Sequence, residues 1–198
     1  MFMHDAIATG TEVWTHRVLA TIARNLGEGG RGDVVSLAHS LAQSPWWNGC
    51  PTAAGVLAGA GANRYRRLSL RQPQGPDDYA VLLIAWPPRH ATPIHDHDGL
   101  WGIELVLDGA LQVESFAIAV TPSLQLVQRG TMPLGIGDHA AFSDRDYAHR
   151  CRNLSAQRPA LTLHVYGGAL ERYRAYDRDA AGCWDSVPQR AQLEPANH

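Results

Sequence analysis

Between residues 61 and 166, turn residues cut the chain into short apolar segments, and that spacing restricts what it can fold into. Residues 64–70 alternate polar and apolar side chains and read as a strand. Residues 74–78, Gln-Gly-Pro-Asp-Asp, form a turn. Residues 79–86 make a strongly apolar strand, closed by Pro87-Pro88. Residues 101–107 make another, and Asp108-Gly109 predicts a hairpin from which residues 110–117 pair back. Residues 124–128, 139–142, 148–153 and 160–166 read as further short strands. Such a series predicts a mainly β fold, either a barrel or a two-sheet jelly roll.

A helical segment precedes it. Residues 11–25 carry Val13, Trp14, Val18, Leu19, Ile22 and Ala23 at helical spacing, with Thr11 as N-cap and the glycine-rich run 27–30 as the stop. A second helix is predicted from Asp33, with Val34, Val35, Leu37, Ala38 and Leu41 facing inward, ending at Pro45. Residues 51–57 suggest a short third turn. Trp46 and Trp47 read as aromatic packing between helices and barrel. Beyond residue 170 the sequence becomes polar and irregular, and is expected to wrap the barrel or fray. The expected organisation is one domain: helical residues 1–60, a barrel over 61–170 and a tail over 171–198.

A chain of 198 residues can bury a substantial core without disulfides. Its formal charge of -2 offers no global basic field for nucleic acid or an anionic membrane. All 17 basic residues are arginine, so any fixed cation in a site is a guanidinium. Cys50, Cys151 and Cys183 form neither a CxxC pair nor a disulfide framework, which suits a reducing cytoplasm. The N-terminus carries acidic residues and no long apolar run, against a signal peptide or membrane span.

The chemistry concentrates in Pro93-Ile94-His95-Asp96-His97. Two histidines two apart on an extended segment point to the same side and can grip one metal ion. His149, far downstream, offers a third imidazole. Neutral imidazole suits zinc, copper, nickel and iron, and three protein ligands leave positions open.

Residues 86–109, with His149 and Asn153, resemble the two cupin motifs. More narrowly, His95-Asp96-His97, Gly102, Leu107-Asp108-Gly109, the run 149–153 and Leu163-His164-Val165-Tyr166 are similar to the cysteine dioxygenase family of thiol dioxygenases, bacterial type. The resemblance implies a cupin barrel in which His95, His97 and His149 hold Fe(II), with a small thiol and dioxygen as substrates. It implies a relay at Thr162, His164 and Tyr166, with threonine where the family has serine. Period-two spacing puts all three on one strand face. Tyr65-Arg66-Arg67 resembles the family's substrate-binding segment, with Arg67 clamping a carboxylate. Trp101 and Trp86 are expected to keep the pocket dry.

Two departures stand out. Gly102 occupies the position where animal members carry a cysteine crosslinked to the tyrosine. Glu104 lies beyond it, read as a polar pocket residue with a fourth-ligand role as the alternative. L-cysteine is the first expected substrate and 3-mercaptopropionate the second. Mercaptosuccinate enters if Arg172 or Arg174 also reaches the pocket. The competing classes are a cupin acting on a carbonyl compound and a non-enzymatic cupin that binds a metal or ligand. The oligomeric state is left open.

Overall fold

A computed structural model describes residues 2–27, 33–43, 48–58 and 64–195, with the side chains of the first described only from residue 10. Three helices lead: α1 (Phe2–Leu26), α2 (Val34–Gln43) and α3 (Ala53–Leu57). Strands follow as β1 (Arg66–Arg71), β2 (Ala80–Trp86), β3 (Ile94–His95), β4 (Gly102–Asp108), β5 (Leu111–Ala119) and β6 (Gln125–Leu134). The remainder are β7 (His139–Phe142), β8 (Tyr147–Asn153), β9 (Ala160–Tyr166), β10 (Arg172–Arg178), β11 (Trp184–Arg190) and β12 (Glu194–Pro195). They form two six-stranded sheets, ordered β12-β1-β2-β9-β4-β7 and β11-β10-β3-β8-β5-β6. The expected mainly β fold with an N-terminal helical segment is what forms.

The first sheet is covered on both faces, which explains why its strands read as continuous apolar runs. Val81, Leu83, Ala85, Ile103, Leu105, Leu107, Leu161, Leu163 and Val165 face the helices, packing on Trp14, Val18, Ile22, Leu37 and Leu41. The alternate residues Leu82, Ile84, Trp86 and Val106 face the second sheet and meet Leu111, Val113 and Cys151. The helices are therefore a lid for one sheet. At about 25 cal/mol per Å² of apolar surface, such burial is their main source of stability. Among the described residues no helix is long and apolar enough to cross a membrane.

Several expectations change. Helix α1 begins at Phe2, so Thr11 lies inside it rather than capping it. The stop falls as expected, with Gly27 in the left-handed region at φ 64°. Asp33 does cap α2, its carboxylate accepting from Val35 N (3.0 Å) and Ser36 Oγ (2.6 Å). Val35, however, is 55 % exposed. The readings of Pro45, Trp46 and Trp47 lie outside the described residues. The tail is not irregular: β10 and β11 pair antiparallel over seven residues, and β10 also pairs with β3.

Asp108-Gly109 is not a hairpin. β4 is already flanked by β9 and β7, so it has no free edge for β5. The chain instead crosses to the facing sheet, where β5 lies between β8 and β6. Gly109 makes this possible at φ 77°, with its Cα close against β9. A Cβ there would stand 2.8 Å from Ala160 Cβ and 3.0 Å from Pro159 O. Asp108 completes the corner by accepting from Ala53 N at 2.9 Å, tying α3 to the barrel.

Gly109→Ala therefore combines left-handed strain with a clash against β9 and should cost about 2–3 kcal/mol in urea unfolding. Gly182→Ala shares the positive φ but meets nothing within 4 Å, and should cost only about 1 kcal/mol. Equal midpoints for the two variants would contradict the sheet-crossing role.

Candidate metal centre

β3 and β8 set the first two imidazoles. They pair antiparallel with His95 directly opposite His149, so both side chains leave the same face. His97 lies two residues on, and the intervening Asp96 points the other way. There Asp96 accepts from Arg174 N (2.8 Å) and Tyr176 Oη (2.7 Å), pinning the His-x-His segment to β10. The three imidazoles converge: one ligand atom from each lies within 4.8 Å of the other two. Ring centroids are 4.6–5.2 Å apart.

The ring nitrogens test the fit to a metal. His95 Nδ1 sits 3.0 Å from Pro93 O, so it carries the proton and donates, leaving Nε2 as a lone-pair donor. Both nitrogens of His97 and Nε2 of His149 are buried without a hydrogen-bond partner. Buried unpaired nitrogen is costly, and a cation among the three rings would satisfy it. Burial also pushes the pKa of His95 down to about 4, and those of His97 and His149 well below the usual range, with repulsion between the rings adding to burial for the latter two. At neutral pH the rings are therefore uncharged, as ligands must be. The residues present fit a divalent metal of the zinc, copper, nickel or iron type.

The relay residues line up on β9. Trp86 Nε1 donates to Thr162 Oγ1 at 2.8 Å. Thr162 Oγ1 and His164 Nε2 lie 2.7 Å apart, and His164 Nδ1 is 2.9 Å from Tyr166 Oη. All three side chains are buried, and the Tyr166 ring packs 5.1 Å from that of His97. Burial pushes the Tyr166 hydroxyl's pKa well up, with the Glu104 carboxylate adding to it, so the hydroxyl keeps its proton.

Arg67, Tyr65, Trp86, His95, Glu104, His149, His164 and Tyr166 all line one narrow cavity. Arg67 Nε donates to Tyr65 Oη at 3.2 Å, and its guanidinium lies over the Tyr65 and Tyr173 rings. Burial works against the Arg67 charge, but the two tyrosines more than offset it and the pKa is raised. The guanidinium is thus a fixed cation.

Two expected pocket residues lie elsewhere, for one reason. Period-two alternation that points Gly102 and Glu104 inward turns Trp101 outward, where it packs with the helical side and covers Gly167. On β10 the inward residue is Tyr173, so Arg174 faces out and donates to Ser186 Oγ at 2.7 Å. Arg172 is likewise exposed.

Other residues were not singled out from sequence. Tyr173 packs edge-on to His95 at 5.6 Å. Phe142 stacks on His97 at 4.7 Å and on Tyr147 at 4.6 Å. Gly102 exists because of Phe142: a Cβ there would fall 2.3 Å from the Phe142 ring. Cys151 Sγ donates to Glu104 Oε2 at 3.5 Å. The inward position of Cys151, two residues after His149 on one strand, was a usable signal.

Glu104 is the least expected feature. It is 2 % exposed, and its Oε1 stands 3.5 Å from both His149 Nε2 and His164 Nδ1. Burial pushes its pKa up to about 8, against a small lowering by the Cys151 hydrogen bond.

A two-sheet β fold in which three imidazoles converge beside a threonine–histidine–tyrosine relay defines a candidate metal site. The model of the family "Cysteine dioxygenase type I" matches residues 11–179. Human cysteine dioxygenase type 1 is 28% identical over 168 residues, covering 85% of this chain and 83% of that protein. The cattle enzyme is 26% identical over the same coverage. Among solved structures, the cupin domain of Schizosaccharomyces pombe Cnp3 aligns at TM-score 0.43 and 12% identity, covering 57% of this chain and 67% of that one. The chain belongs to the cysteine dioxygenase type I family.

Two opposite pH trends should appear in the metal-free protein. Unfolded histidines protonate near pH 6.5, whereas His95 resists to about 4 and His164 to about 3. The unfolded state then binds more protons, so stability falls as pH drops below 6.5. Glu104 does the reverse, holding its proton to about 8 when folded against 4.5 unfolded, so stability also falls as pH rises towards 8. Below 6.5 the buried histidines outnumber the one carboxyl. The thermal midpoint, followed by circular dichroism, should peak near pH 6.5; a flat profile from pH 5 to 8 would contradict the buried neutral rings.

Proposed function

We propose that this chain is an Fe(II)-dependent thiol dioxygenase acting on a small thiol that carries a carboxylate, L-cysteine first. The balance is R-SH plus O2 giving R-SO2H, with both oxygen atoms on sulfur. The observation that carries the reading is one cavity in which His95 and His149, two of the three clustered neutral imidazoles, meet a relay-held tyrosine hydroxyl and a fixed guanidinium. Family membership supports the thiol dioxygenase class. Held by His95, His97 and His149, ferrous iron would supply a binding place for thiolate and the electron chemistry that dioxygen needs.

The chain's own residues set geometry and protons. Arg67 meets the substrate carboxylate with a two-pronged guanidinium, and Tyr65 holds that fork in direction. This fixes the sulfur against the imidazole cluster. Tyr166 keeps its phenolic proton and donates it as a hydrogen bond towards oxygen being added. His164, set by Thr162 and Trp86, stops the tyrosine ring from swinging away. Ile84, Trp86 and Leu170 exclude water from the cavity.

The lining also ranks the substrates. Among the described residues one guanidinium, that of Arg67, lines the cavity, and Arg172 and Arg174 do not. A second carboxylate, as in mercaptosuccinate, finds no second guanidinium among the described lining residues. 3-Mercaptopropionate, with one carboxylate, remains the second reading. The free thiols Cys50, Cys151 and Cys183 support a reducing, cytoplasmic setting.

Iron-loaded protein under air should consume one dioxygen per sulfinate formed, read by an oxygen electrode and product mass. Arg67→Ala should raise KM for L-cysteine about 10–100-fold, the worth of a charged hydrogen-bond pair. Tyr166→Phe should lower kcat about 100-fold with little change in KM. No oxygen uptake with any of the three thiols would favour a ligand-binding cupin without turnover.

A further inference from the structure

Shortly before the His-x-His segment the chain makes a turn that its residues do not favour. Residues 87–90, Pro-Pro-Arg-His, close with His90 N donating to Pro87 O at 3.1 Å. Arg89 sits in the left-handed region at φ 60°, a conformation that side chains disfavour and glycine tolerates. The surroundings hold it there. Arg89 N donates to Ser155 O, and Asn153 N to His90 O, both at 2.9 Å. The buried Asn153 amide donates to Trp86 O at 3.2 Å and to Pro87 O at 3.1 Å. Backbone strain held in place this firmly clusters at functional segments.

What the turn delivers is the His90 ring. It stacks on Tyr65 at 4.4 Å, with 12° between the planes, and lies 6.1 Å from the Trp86 ring. Trp86 meets the same tyrosine edge-on at 5.0 Å. Tyr65 needs this support because it precedes β1, whose pairing with β2 begins at Arg66. Its hydroxyl in turn accepts from Arg67 Nε at 3.2 Å. Tyr65 and Arg67 line the cavity and His90 does not. Among the described residues no hydrogen bond engages the His90 side chain, so ring contacts are what hold it. Burial first, and then the Arg67 charge, lower its pKa, so the ring is uncharged at neutral pH.

We propose that His90 is a positioning residue for the carboxylate clamp: it fixes the Tyr65 ring and, through the Tyr65 hydroxyl, aims the Arg67 guanidinium. This rests on the thiol dioxygenase reading and adds to it a residue outside the cavity. Without the stack the phenol has room to turn, and the guanidinium fork loses its direction while keeping its charge. A two-pronged contact depends on direction. The loss is therefore confined to ligands that use the fork.

The test reads Kd by anaerobic calorimetry on the iron-loaded protein, where no turnover occurs. L-cysteine and 3-mercaptopropionate serve as thiols with a carboxylate and cysteamine as one without. His90→Ala should weaken both carboxylate thiols about 3–10-fold, the worth of one ring pair. Iron content and cysteamine affinity should not change. His90→Phe keeps a flat, neutral ring and should restore the wild-type values. Under air, KM should follow Kd while kcat holds. The proposal falls if His90→Ala leaves the carboxylate thiols unaffected, weakens cysteamine equally, loses iron or lowers kcat alone. It also falls if His90→Phe binds as weakly as His90→Ala. Should His90→Ala not fold, His90→Gln, which has no ring face, decides by the same criteria. A carboxylate-specific loss in Kd without any oxygen uptake would uphold this proposal and sink the dioxygenase reading. Oxygen uptake with Kd unmoved by His90→Ala would do the reverse.

Discussion

The structure depends on keeping polar groups dry inside a barrel whose two walls are otherwise apolar. Both sheets turn alternate residues inward, and at one end of the sandwich those residues change from leucine and isoleucine to histidine, threonine, tyrosine and glutamate. Each such group must find a partner, because an unpaired polar atom in this setting costs more than a typical hydrogen bond returns. The β9 relay resolves this internally, running from Trp86 through Thr162 and His164 to Tyr166. The three-imidazole cluster does not, and its unpaired nitrogens are what mark it as a receptor for a cation.

Strand pairing supplies the precision. His95 and His149 are near neighbours because β3 and β8 pair at that one register, although the residues are far apart in the chain. β3 is only two residues long, too short to hold its own place. Asp96, gripping β10 through Arg174 N and Tyr176, anchors it from behind. A tail strand thereby orients the metal-binding segment. Phe142 adds a flat wall against His97, and the absence of a side chain at Gly102 leaves room for it.

Charge then divides the cavity. Neutral ligands leave a bound dication at full strength, which suits capture of a thiolate. Arg67 is held charged by its tyrosines, and Glu104 is held in an environment that resists its charge. The family match covers the barrel and most of the helical segment, so the likeness extends beyond the histidine motif.

The sequence by itself determined which residues of each strand share a face, because side-chain alternation is a local property of extended backbone. That is why His95 and His97 could be paired and Thr162, His164 and Tyr166 put on one face, and why β2, β7 and β9 fell close to their expected bounds, whereas the roles of the relay and of Arg67 came from the resemblance to the family. What only the tertiary structure decided was which strand stands beside which. The Asp108-Gly109 turn looked like a hairpin, yet β4 had both edges occupied and sent β5 to the other sheet. The tail looked irregular until β10 found β3. Arg174 gave way to Tyr173, and Trp101 to Glu104, since the phase of an alternation relative to the cavity is fixed by pairing with distant strands, and no local pattern carries that information.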